Sequence, residues 1–147
     1  MAKLTLKNAQ QTELFTFAYP MRVYFEDTDA SGVVYHARYI HFLERARTEW
    51  LRTLGFNNGE LNQKHSMFWV VSEVTVNYLR PARLDDALQV SVAIESMGRV
   101  RCTFHQEIRR GEETLIKARI TVACVGAANF KPIEIPAEVR KKMEATC

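Results

Sequence analysis

Residues 24–54 read YFEDTDASGVVYHARYIHFLERARTEWLRTL. A β-type run from Met21 to Phe25 enters an acidic turn, Glu26-Asp27-Thr28-Asp29. The small, flexible Ala30-Ser31-Gly32 follows, then Val33-Val34-Tyr35-His36 and a helical pattern. From Arg38 onward the apolar residues Tyr39, Ile40, Phe42, Leu43, Ala46, Trp50, Leu51 and Leu54 recur at spacings of mostly three, four and one, the helical period. Gly55 ends the helix as a C′ residue does. Carboxylates are thus parked in a loop just before a helix start, where free backbone N–H groups and the positive end of the dipole meet. Such a pairing suits attack on an activated acyl group.

The rest of the chain supplies what must pack on that helix. After a polar, Gly-containing loop from Phe56 to Ser66, the period changes from helical to two. Val70, Ser72, Val74, Val76 and Tyr78 share one face of a strand that Pro81 closes. Leu88, Val90, Val92 and Ile94 form the next, ending at Met97-Gly98. Val100, Cys102, Phe104 and Ile108 form a third, turning at Arg110-Gly111-Glu112. Ile116, Ala118, Ile120, Val122 and Cys124 form a fourth, ending at Gly126. Short turns between consecutive strands predict an antiparallel meander. Pro136 opens a short last helix, Ala137 to Met143. Residues 1–18 read as a polar lead-in and 19–147 as one domain. The expectation is α+β: a five-stranded antiparallel sheet wrapped on one long helix that is apolar nearly all round, plus the short C-terminal helix.

Composition bounds the function classes. The chain has 147 residues, 47% of them hydrophobic, which suits a single domain with a real core. A net charge of +3 with scattered signs is too mild for a nucleic-acid binder. Three cysteines, Cys102, Cys124 and Cys147, are odd in number and widely spaced, so they read as free thiols in a reducing compartment. No apolar leader or membrane-length run is present, which predicts a cytoplasmic protein.

The architecture and the motif together resemble the hotdog-fold thioesterases, specifically the 4-hydroxybenzoyl-CoA thioesterase branch and the bacterial Tol–Pal-associated acyl-CoA thioesterases within it. The residues that carry the resemblance are Tyr24-x-x-Asp27-Thr28-Asp29-x-x-Gly32-Val33-Val34-Tyr35-His36-x-x-Tyr39, the helix continuation Glu44-Arg45-Ala46-Arg47-Thr48-Glu49, and Val76-Asn77-Tyr78-x-x-Pro81-Ala82. The match spans roughly residues 20 to 135. It implies acyl-CoA hydrolysis without a metal or other cofactor, in a homodimer or homotetramer with active sites at subunit interfaces. Asp29 matches the catalytic aspartate, and His36 matches the position whose backbone N–H polarises the thioester carbonyl.

Each motif has a plainer reading. A lone aspartate in a turn is most often a turn former or helix cap. The context favours chemistry for Asp29, as nucleophile or as general base on water, and the residues do not choose between the two. Gly32 permits a positive φ or a close backbone approach, and Tyr35 flanks the helix start. Asp27-x-Asp29-x-Ser31-Gly32 imitates the opening of a calcium loop. Its twelfth position is Arg38, a cation where a bidentate glutamate is needed, so no metal site is expected. His36 and His41 are five apart, off the i+4 spacing of paired helical ligands.

Glu44, two turns into the helix, is the alternative catalytic carboxylate; its plainer role is a charge cluster with Arg45 and Arg47. Ser31 lacks a nucleophile-elbow context. Asn77 is a candidate for binding substrate; Arg99, Arg101, Lys117 and Arg119 are unselective candidates for holding its phosphates, as is the Arg80-Pro81-Ala82-Arg83 turn. The rival function is a non-catalytic module that binds acyl-CoA or acyl carrier protein. A dehydratase of the same fold is a third reading, disfavoured by the Asp-Thr-Asp-x-x-Gly loop.

Overall fold

The structure, a computed structural model, describes the backbone of Leu6–Lys7 and Glu13–Phe15 and residues 17–147. The first two segments, β1 and β2, pair with each other in antiparallel fashion. The end of the expected polar lead-in is instead buried, with Phe17 in the core and Ala18 opening the next strand; apart from β1 and β2, its other residues lie outside the described ones. Six further strands make one sheet: β3 (Ala18–Arg22), β4 (Met67–Tyr78), β5 (Ala87–Ser91), β6 (Ala93–Met97), β7 (Arg101–Arg110) and β8 (Glu113–Gly126). Three helices accompany it: α1 (Arg38–Thr53), α2 (Asn58–His65) and α3 (Ala137–Glu144). The fold is α+β, with every strand pair antiparallel.

The sheet corrects the sequence reading in three ways. It has six strands rather than five, because the expected strand from Leu88 to Ile94 breaks at Val92. Its first half, β5, pairs with β3 and the end of β7, while its second half, β6, pairs with the start of β7. The order is also not a full meander. The path runs β3-β5-β7-β8-β4, so β4 crosses the sheet to lie on β8, from Met67 opposite Gly126 to Tyr78 opposite Ile116. Finally, the first strand is Ala18–Arg22 and not Met21–Phe25. Pro20 tolerates this place because β3 is an edge strand paired only with β5.

α1 is amphipathic rather than apolar all round. Tyr39, Phe42, Leu43, Ala46, Trp50 and Leu51 are buried, a stripe at helical spacing, while Ile40, His41, Glu44 and Arg45 face outward. The buried stripe packs on side chains of the inner sheet face, with Trp50 edge-on to Phe104 of β7 at 5.4 Å. Leu88, Val90, Ile108, Ile116 and Ile120 complete this core. Removing Phe42 or Leu43 to Ala would cost about 2–5 kcal/mol on that burial.

Gln106, on the inward phase of β7, is fully buried under the helix; its amide donates to the Leu43 and Ser91 carbonyls, each at 3.1 Å. Arg47 donates to its carbonyl oxygen at 2.9 Å. The cysteines are free, with Cys102 and Cys124 buried. Burial pushes their thiols up to about 12 and about 11, which makes them poor nucleophiles. No helix among the described residues is long and apolar enough to cross a membrane.

Candidate active site

The loop between β3 and α1 is held from both sides. A single 3-10 turn, Phe25–Asp27, opens it. Asp27 is only 4% exposed and organises this turn. Its carboxylate accepts the Tyr24 N–H at 2.8 Å and pairs with Arg38 at the first turn of α1, 3.3 Å away. The Asp27 carbonyl in turn accepts the Tyr35 N–H at 2.9 Å. The first carboxylate of the Asp-Thr-Asp motif is therefore structural, consistent with a buried charge needing a partner.

Asp29 is different. It is exposed, in the turn whose backbone closes through Asp29 N–H to Val33 O at 2.9 Å and Gly32 N–H to Asp29 O at 3.0 Å. Gly32 has φ +81°, left-handed backbone that a side chain would strain. That turn lets Ser31 fold back: its N–H donates to one Asp29 carboxylate oxygen at 2.9 Å, and its hydroxyl donates to the same oxygen. The Ser31 hydroxyl, then the Ser31 amide, hold the Asp29 carboxyl below its ordinary range, with His36 adding a smaller pull. Asp29 is thus ionised at neutral pH with one oxygen committed to Ser31. The sequence reading had set Ser31 aside as a nucleophile and missed this role. An Asp-x-Ser turn is the local signal that would have found it.

Downstream, the loop is stitched to the turn after β4. Val34 N–H donates to Ala82 O at 2.9 Å, and Ala82 N–H donates to the buried Tyr39 hydroxyl at 2.9 Å. Tyr78, the last residue of β4, donates its hydroxyl to the His36 carbonyl at 2.8 Å and packs edge-on to Tyr39. Through these bonds β4 fixes the start of α1. Among the described residues the amides of His36, Ala37 and Tyr39 make no hydrogen bond, and those of His36 and Ala37 lie where the loop enters the helix. The His36 ring is exposed and lies 4.5 Å, centroid to centroid, from that of Tyr35.

A cleft of about 300 Å³ opens beside the helix start, lined by Val34, His36, Tyr39, Tyr78, Arg80 and Pro81 among others. Asp29 does not line it, so within one chain the carboxylate and the cleft share the loop but not the pocket. Arg80 contributes a cation to the cleft while paired with Glu113 at 3.3 Å.

The remaining candidates scatter. Asn77 and Lys117 are register partners on β4 and β8, near the Tyr78 end. Arg101 pairs with Ala123 and Lys117 with Glu107, six residues apart along β7, or about 20 Å. Arg119 is bound by Glu95, and Arg99 lies near Glu134. These cations form no single cluster. Glu44 is exposed on α1 and lines a second cavity, eight residues along from His36. Of the expected charge cluster, Glu44 acts electrostatically on Arg47, whose guanidinium turns inward to donate to Gln106. No group of three His, Cys, Asp or Glu among the described residues is placed to hold a metal.

Residues 31–117 match the family model described as the thioesterase superfamily. The chain is 45% identical over 124 residues to the acyl-CoA thioesterase YbgC of Haemophilus influenzae, covering 84% of this chain and 91% of that one. It is 46% identical over 124 residues to the acyl-CoA thioester hydrolase YbgC of an Escherichia coli O6:H1 strain, covering 84% and 92%. Among solved structures, a probable thioesterase from Bartonella henselae superposes with a TM-score of 0.79 at 39% identity, covering 82% of this chain and 98% of that one.

Proposed function

The chain belongs to the thioesterase superfamily, and from that premise we propose that it hydrolyses acyl-CoA thioesters, with Asp29 as the reacting carboxylate. The observation that carries the assignment is one carboxylate, fixed and kept ionised by Ser31, on the loop that leads into the open amides of His36 and Ala37. A thioester carbonyl has little resonance stabilisation and a thiolate leaving group. The amides polarise that carbonyl as its oxygen gains charge. Asp29 then either attacks the carbon, giving a mixed anhydride that water cleaves, or takes a proton from the attacking water. In both routes the C–S bond breaks, CoA leaves as the thiolate, and the acyl group ends as a carboxylate. The proposed chemistry asks for no metal or other cofactor.

A second copy of the chain completes the site in this reading. β4 is a sheet edge with Val71 and Tyr78 each 49% exposed, and pairing β4 with its copy would extend the sheet across a two-fold axis. The groove so formed would bring a partner surface over the exposed Asp29 loop. For the CoA phosphates, Arg80 at the cleft and Lys117 beside Asn77 are better placed than Arg99 or Arg101, which lie near the far end of the sheet.

The alternative is a non-catalytic binder of acyl-CoA or acyl carrier protein. It gives no reason for a carboxylate held ionised on the loop that leads into open amides. A panel of acyl-CoA and acyl-carrier-protein thioesters, read by free-thiol release, tests the proposal: release that vanishes in Asp29→Asn supports it. Thiol release equal in wild type and Asp29→Asn would remove Asp29 from the chemistry, and no release from any thioester would favour the binder.

A further inference from the structure

A second cavity, of about 220 Å³, opens between the later half of α1 and the β4 side of the sheet. It is not the cleft at the helix start. Arg47, on its wall, lies nine residues after Arg38, about 14 Å along the helix. Aromatic walls dominate: Trp50 from α1, Trp69 from β4 and Phe104 from β7, with Val122 and Met143 beside them. Such walls take flat or short apolar groups. A dry cavity of about 150 Å³ already admits benzene, so this one has room for a ring and a small substituent.

Glu44, Arg47, Thr48 and Asn58 are the polar members of the lining, and Arg47 is its one cation. Arg47 carries five N–H donors, and its one hydrogen bond among the described residues is to Gln106. That bond is fixed from behind, because the Gln106 amide is spent on the Leu43 and Ser91 carbonyls and only its oxygen is left to face Arg47. The guanidinium is therefore pre-oriented at the cavity with donors to spare, the arrangement that suits a planar, two-oxygen acceptor. Glu44, also on the lining, acts on the guanidinium electrostatically without closing to an ion pair with it among the described residues.

We infer that this cavity is a binding site for a small aryl or short-chain carboxylate, its apolar part against Trp50, Trp69 and Phe104 and its carboxylate on Arg47. The site does not use Asp29 or His36. Its ligand is of the chemical class that thioester hydrolysis would release, so on the proposed function it senses or retains a product acid.

Trp50 and Trp69 are the only tryptophans of the chain, and both line the cavity. Intrinsic fluorescence therefore reports entry directly. Titrating the full chain at neutral pH with benzoate, and with the near-isosteric neutral benzamide, is the test. Benzoate should change the tryptophan signal saturably and bind at least about tenfold tighter than benzamide, the scale of one charge-assisted contact. Arg47→Met should abolish that preference and Arg47→Lys should keep part of it, each checked for an unchanged melting curve. Glu44→Gln, an exposed change, should tighten benzoate several-fold by removing a like charge. A flat titration, as when a second copy's side chain fills the cavity, overturns the inference; so does equal binding of benzamide, or benzoate binding indifferent to Arg47→Met or to Glu44→Gln. No thioester is present, so the outcome is independent of whether the chain hydrolyses one.

Discussion

Asp29 is fully accessible, yet it does not titrate as an ordinary surface aspartate, because Ser31 donates twice to one of its oxygens. Removing the larger of the two influences, the hydroxyl, in Ser31→Ala moves the Asp29 carboxyl back up toward its usual range. A catalytic carboxylate must be ionised, so activity is lost as pH falls through its pKa. The acid limb of kcat/KM should therefore shift to higher pH in Ser31→Ala, with the neutral-pH rate less affected. A pH–rate profile with an unmoved acid limb would separate Ser31 from the chemistry. Asp29→Asn should keep the fold, being nearly isosteric, and lose roughly 10² or more in kcat. His36→Ala should be milder, because the backbone amide survives the substitution; equal losses would mean that the imidazole itself transfers a proton.

At this scale much was legible, since loop chemistry is local. The left-handed Gly32 and the acidic turn were both readable. Gln106 was not, because a polar residue on an apolar strand phase gains its meaning only from the Leu43 carbonyl that reaches it across the core.

Elements carry the precision of the site. The start of α1 has no side-chain cap, and Tyr78 of β4 reaches over to its His36 carbonyl. Tyr78→Phe deletes that one hydrogen bond and leaves the ring against Tyr39. The bond is worth about 1 kcal/mol, so stability should fall by about that amount. If the same bond aims the His36 amide, kcat should fall about fivefold while KM stays put, which steady-state kinetics resolves. Loss of stability alone, with kcat intact, would reduce Tyr78 to a structural strut.

The periodicity of α1 and of the long strands was readable because each follows its own repeat. Which strand lies beside which was not. β4 and β8 are paired along their length through a register set by long-range contact, and the break at Val92 exists because β5 and β6 take different stretches of β7 as neighbours. Local pattern carries neither fact.

At the scale of the whole molecule, β4 is the long edge strand of the sheet, opposite the short edge strand β3. Val71, Val74 and Tyr78 are exposed along a strand edge that is unpaired among the described residues, a surface that a lone chain leaves open to association. The exposed Asp29 loop and the cleft beside Tyr78 share no pocket within one chain, and the proposed pairing of β4 with its copy would cover both at once. Charge repulsion at that edge separates the two roles. Val74→Asp would set like charges against each other across the proposed β4 pairing without touching the buried core. Light scattering should give twice 17.0 kDa or a higher even multiple for the native chain and 17.0 kDa for the variant. Thiol release should fall with the loss of association although Asp29, Ser31 and His36 are unchanged. It should recover as protein concentration rises, by mass action. A native chain that scatters as 17.0 kDa and turns over at full rate would place the whole active site within one copy, and the cleft at Tyr78 would then have to accept the thioester unaided.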